Sequence, residues 1–292
     1  MQAENPTAQT KRSPSNGALQ AAENAARYGR NKAQLRYSFV QRSHPDDPPP
    51  PLTRMLRGGR GGQVRLKLYL SYLWMQREDT AQGLTFANRA WATLLDLRDP
   101  ATAGARRIGD AQAWLEENQF IEIVSQMGRP NQVLVLDESG TGHAYVAPGA
   151  AARKEAKSVF GAIVHRYVQI PRAFWTSGYL TVLSGAGVAM FLALLCERGP
   201  ASSDEALWFS PKDAERRFGL SEDTRSKGLR ELAEVGLVRT KRRPINPTDF
   251  EVVHVRNVHY LDLDRLNETA GTKAAPRRVV RVSKKRTAKE AP

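Results

Sequence analysis

A single cysteine, Cys196, occurs among 292 residues. One thiol makes neither an intrachain disulfide nor a cysteine cluster for zinc, so the fold must rely on its core, and a reducing cytoplasm fits this usage. The five histidines, His44, His143, His165, His254 and His259, are scattered. No GxxxxGK[ST], HExxH or GxSxG run is present. That removes a phosphate-cradling loop, a helical zinc pair and a nucleophile elbow from consideration. His254 and His259 stand at an odd spacing, which puts them on opposite faces of an expected strand. Tyr260 beside them therefore reads as structural, and we expect no catalytic residue, metal site or cofactor.

Long apolar runs are also scarce. The N-terminus lacks the apolar stretch of a secretory signal, which again points to the cytoplasm. The stretch Ala173 to Cys196 carries no formal charge, yet Ser177-Gly178, Ser184-Gly185 and Gly187 interrupt it. It reads as a buried helix opening at Ser184, with no membrane as partner.

What the chain has in excess is positive charge, +14 in all. Lys and Arg gain affinity for nucleic acids by releasing counterions held on phosphates, so a polyanionic partner is expected. The excess is uneven: residues 1–60 carry 10 basic against 4 acidic side chains, and residues 270–292 carry 8 against 1. The middle is almost neutral, and a claim for it must rest on local patches. The polar, Pro- and Gly-rich residues 1–62, ending in Arg57-Gly58-Gly59-Arg60-Gly61-Gly62, are expected to be disordered, as are residues 268–292.

Between these tails the pattern runs through one order twice. In residues 63–139 a helix starts at Gln63, a second follows a Thr85 cap to Leu95, and a third opens at Asp99-Pro100 with Ile108, Ala111 and Leu115 inward. Strands at Phe120 to Ser125 and Gln132 to Leu136 flank a Gly-Arg-Pro-Asn turn. Residues 140–163, rich in Ala and Gly, read as a linker. In residues 164–267, helices are expected at Ser184 to Glu197, from Ser210-Pro211 to Phe218, and from Ser221 to Val235, with strands at Leu237 to Arg243 and about Glu251 to Leu263. The fold class is mainly α with small β-hairpins, an α+β chain of two domains.

The sharpest signal is Ser210 to Val238, SPKDAERRFGLSEDTRSKGLRELAEVGLV. Ser210 with Asp213 makes a capping-box start, Gly219 permits a tight turn, and Ser221 caps the next helix. The run from Leu220 through Ser221, Thr224, Leu229, Leu232 and Gly236 to Val238 resembles the recognition helix and first wing strand of bacterial winged-helix regulators. The tandem order is similar to that of plasmid replication initiators with two winged-helix domains. The resemblance implies that Ser221, Thr224, Arg225, Ser226 and Lys227 lie where such helices meet backbone or bases, although Arg225 stands where an apolar residue is usual. It also implies that Arg239, Lys241, Arg242 and Arg243 lie along the wing, with Arg106 and Arg107 on the third helix of the first domain.

These residues lead to an expectation of sequence-specific binding to double-stranded DNA by a cytoplasmic, nucleoid-associated protein, for replication initiation or transcription regulation. A homodimer contact through the first domain and replication or transcription proteins are the further partners that this resemblance implies. The alternative is a protein–protein adaptor whose basic tails hold nucleic acid without sequence preference. A third reading is RNA binding through the RGG-like run.

Overall fold

A computed structural model describes residues 13–57, 61–76, 83–155, 164–199, 205–244 and 255–272. Among them, helices surround three small antiparallel sheets, an α+β arrangement. No helix among the described residues is long and apolar enough to cross a membrane.

The N-terminal segment corrects the expectation of disorder through residue 62. It forms α1 (Asn16–Ala25), β1 (Lys32–Arg36), α2 (Tyr37–Val40) and α3 (Pro51–Arg57). Ser15 accepts from the Ala18 amide to open α1, and also donates through its own hydroxyl to Asp96 at 2.6 Å. The segment is polar on average, but Leu35, Phe39, Val40, Leu52 and Met55 are wholly buried. Burying each large apolar side chain contributes roughly 1.5–3 kcal/mol, enough to order a segment whose average composition argues otherwise. Residues 1–12 and 58–60 lie outside the described residues.

The first of two repeated units then begins with α4 (Gly62–Met75), which is buried on every side. It continues through β2 (Leu84–Thr85), α5 (Asn88–Leu94), a π turn (Pro100–Gly104), α6 (Ala105–Glu117), β3 (Ile121–Val124) and β4 (Gln132–Val135). Two expected caps fail here. Thr85 is a strand residue paired with Gln132, and Asp99 offers no side-chain cap, sitting instead at φ 49° while its carbonyl accepts from Thr102 and Gly104. Strand order is β2-β4-β3.

Residues 136–155, of which 140–155 fall within the expected linker, are also packed. Tyr145 and Glu138 are buried, Leu136 bridges to Ala144, and α7 (Pro148–Lys154) follows. Next come β5 (Tyr167–Pro171) and two single-turn helices, α8 (Ala173–Thr176) and α9 (Tyr179–Val182). β5 pairs with β1, from Lys32 opposite Pro171 to Arg36 opposite Tyr167, so the N-terminal segment ties the two halves of the chain together.

The second unit has α10 (Gly185–Arg198), α11 (Pro211–Phe218), α12 (Glu222–Glu234), β6 (Val238–Pro244) and β7 (Val255–Leu261). Ser184 accepts from the Gly187 amide and opens α10, as its sequence led us to expect. A lone bridge from Leu207 to His259 stands where β2 stands in the first unit, and adds the same edge beside the last hairpin strand. The chain order of helix, short strand, helix, helix and hairpin thus occurs twice.

The halves share one hydrophobic cluster rather than two separate cores. Trp74 of α4 stacks on Trp175 with centroids 4.8 Å apart, and Trp175 donates to Ser71. Buried Lys67 reaches the Thr181 carbonyl at 3.0 Å. Beyond the hairpin a 3-10 turn (Asp264–Asn267) leads to buried Ala270, whose amide donates to Ser177, so residues 268–272 are packed where a tail was expected.

Candidate nucleic-acid interface

The local chemistry around α11 and α12 follows the sequence closely. Ser210 and Asp213 form a reciprocal capping box, Gly219 closes α11 at φ 65°, and Ser221 accepts from the Thr224 amide to open α12. The left-handed region is open to glycine without the Cβ clash, which is why the turn needs Gly219. Three groups from the N-terminal segment brace this turn. Thr53 donates to Phe218 at 2.5 Å, Arg57 to Gly219 at 2.8 Å, and Arg42 to Arg216 at 2.9 Å, all to carbonyl oxygens.

α12 packs on α10 through Gly228 and fully buried Leu232. A Cβ at Gly228 would fall 2.4 Å from the Ala186 carbonyl oxygen, so hydrogen is the only side chain this approach admits. Glu231, in the last turn of α12, accepts from the Ser184 amide at 2.8 Å and ties that end to the start of α10. These contacts leave Glu222, Asp223, Ser226, Lys227, Arg230, Ala233 and Glu234 exposed.

Each residue expected at the interface can now be placed. Ser226 and Lys227 lie on the exposed side of α12. Ser221 and Thr224 spend their hydroxyls on each other and on the cap, 2.9 Å apart. Arg225 is half-buried, and its Nε is shielded without a hydrogen-bond partner among the described residues. Arg230, one helical turn beyond Ser226, does not stand out in the sequence but is exposed beside it. The i, i+4 spacing to Ser226 is the signal that marks it.

The four cations of β6 are exposed but do not form one patch. Side chains alternate along a strand, and the register pairs Arg239 with Tyr260, Lys241 with Val258 and Arg243 with Arg256. Arg242 lies on the other face opposite Asn257. On the shared face Lys241 and Arg243 each stand 5.6 Å from the Tyr260 ring centroid, while Arg256 lies 4.6 Å over Trp208. Tyr260 is buried beneath this layer. Arg256 is not legible in the sequence because its neighbours are set by cross-strand register rather than by order in the chain. The hairpin tip, 245–254, lies outside the described residues, and His254 with it.

On the opposite face, His259 lies 3.1 Å from the Thr240 hydroxyl. Burial, and then the Arg225 charge, pull its pKa below the ordinary value, so it is neutral at pH 7. In the first unit Arg106 and Arg107 are exposed on α6. Arg107 borders a cavity of about 150 Å³ with Asp110 and Arg65, whose guanidinium lies 4.7 Å over Trp114. A carboxylate one turn away reduces the attraction of that surface for an anion. No family model, curated protein or solved structure matches the chain.

Proposed function

We propose that both repeated units are winged-helix domains and that the chain binds double-stranded DNA in a sequence-specific manner, as a non-catalytic replication initiator or transcription regulator of the nucleoid. The observation that carries this reading is an exposed helix, α12, beside an exposed cationic hairpin strand, with Arg242 on the face toward α12 and Arg239, Lys241 and Arg243 on the other. A helix of this size fits a major groove and a cationic ribbon beside it suits the adjoining phosphates. Ser226, Lys227 and Arg230 are the side chains placed for base or phosphate contact. Arg106 and Arg107 assist from the first unit.

Salt dependence tests this reading. Arg239→Ala, Lys241→Ala and Arg243→Ala combined should lower duplex affinity and reduce the slope of log K against log salt by about 0.9 for each phosphate no longer neutralised. Unchanged slope and affinity, measured by fluorescence anisotropy, would remove the hairpin from the interface.

One observation favours the adaptor reading. The exposed side of α12 carries Glu222, Asp223 and Glu234 against Lys227 and Arg230, so it is not a cationic face. Removing residues 1–12 and 273–292 separates the readings without touching the packed segment 13–57. Retained duplex binding supports the winged-helix reading, and abolished binding supports the adaptor.

A further inference from the structure

We infer that the groove between α12 and the β6–β7 hairpin is a binding site for a free nucleoside monophosphate. This inference does not rest on the DNA reading, although Ser226 and Arg230 line the groove as well as the exposed side of α12, so a nucleotide here and a DNA duplex would compete for them. The groove encloses about 430 Å³, within the range of about 300–1,000 Å³ in which small-molecule sites fall.

Its walls divide by chemistry. Arg225 and Arg230 line one side, with neutral His259 and Asn257 across from them on the hairpin, and Trp208 and Phe209 closing the end near α11. Among the described residues no carboxylate lines it. Two guanidinium groups without a facing carboxylate select an anion, and planar forks suit phosphate oxygens. Arg225 carries the point further, since its Nε is shielded from water and donates to nothing among the described residues. A buried donor left unmade costs free energy, and a rotation that turns this guanidinium toward the groove would let an anion there supply the acceptor. Trp208 is 39 % exposed and carries the Arg256 guanidinium 4.6 Å over its ring, so a base ring would pack on the face that Arg256 leaves open. Asn257 and the unprotonated ring of His259 present donors and acceptors to a base edge or sugar hydroxyl. An inorganic anion alone would leave the aromatic end of the groove unused.

The test uses the full chain and AMP, GMP, CMP and UMP as probes, without DNA. Trp74, Trp91 and Trp175 are buried and Trp114 is half-buried, so the Trp208→Phe variant identifies the quenching that comes from the groove. We expect saturable quenching by at least one of these nucleotides, lost in Trp208→Phe. Arg225→Gln and Arg230→Gln should each weaken it by about tenfold or more, the loss expected when a charge-assisted bond to phosphate is removed. Arg230 is exposed, so its variant keeps the test valid even where Arg225→Gln fails to fold. Inorganic phosphate should displace the nucleotide with an affinity about tenfold lower or less. The inference is overturned by the absence of saturable quenching with all four nucleotides, by quenching that both arginine substitutions leave unchanged, or by phosphate that binds as tightly as the nucleotide.

Discussion

The two units follow one chain order but fix their third helices by opposite means. In the first, α6 follows a π turn, and Asp99 before it sits in the left-handed region with no side-chain cap. Its place is set by tertiary packing, with Ile108, Ala111 and Leu115 buried, Gln112 donating to the Tyr72 hydroxyl at 2.9 Å and Trp114 stacked on Phe120 at 6.1 Å. In the second, α12 is set by local devices, the capping box, Gly219 and Ser221, and by the single close approach at Gly228. A helix fixed by its ends and one contact line keeps its outer side free for a partner.

The largest expected effect tests that contrast at one residue in each helix. Gly228→Ala should destabilise the protein by about 2–3 kcal/mol in denaturant titrations, because the added methyl meets backbone and Met190 at 2.4 Å. Gly109→Ala in α6 meets only the Asn88 side chain at 3.6 Å and should stabilise by up to about 1 kcal/mol through helix propensity. Equal signs at the two sites would break the comparison.

The joint between the units offers a pH effect of intermediate size. Arg36 donates to Glu138 at 2.5 Å and to the Val146 carbonyl at 2.8 Å, and pairs with Asp137 at 3.2 Å. Burial pushes the Glu138 carboxyl from 4.5 up to about 7, against the lowering pull of Arg36. Between those values the folded protein binds more protons than the unfolded chain, so stability is greatest below the window and declines as pH rises through it. The unfolding temperature should therefore fall by a few degrees between about pH 5 and about pH 8, and Glu138→Gln should flatten this decline. A rise with pH would contradict the assignment.

The smallest effects concern the helix starts. Ser221→Ala should cost about 1 kcal/mol, the usual worth of an N-cap hydroxyl. Asp99→Gly should be neutral or stabilise by up to about 1 kcal/mol, since it relieves a positive φ without removing a side-chain cap. Thermal unfolding of both variants distinguishes the two kinds of start.

The same contrast explains what the residues reveal in advance. Ser184, Ser210 with Asp213, Gly219 and Ser221 act within three or four positions of themselves, so α10, α11 and α12 are legible in order. The order around α1 to α3 is not, because Leu35, Phe39 and Met55 bury against residues distant in the chain. The packing of residues 140–155 is illegible for the same reason, since the neighbouring Glu138 is anchored on Arg36 more than a hundred positions away. At the candidate interface, the cationic run Arg239 to Arg243 is visible in the sequence, but its division between two faces emerges only with the β6–β7 register. The half-burial of Arg225 depends likewise on where the hairpin lies.

Hydrogen–deuterium exchange of the full chain with and without duplex DNA at low salt tests the central claim most directly. We predict slowed exchange concentrated in the second unit, at the start of α12 and along β6, with smaller changes in α6. Protection confined to the first unit, or none in α12 and β6 under conditions where the duplex is bound, would contradict it.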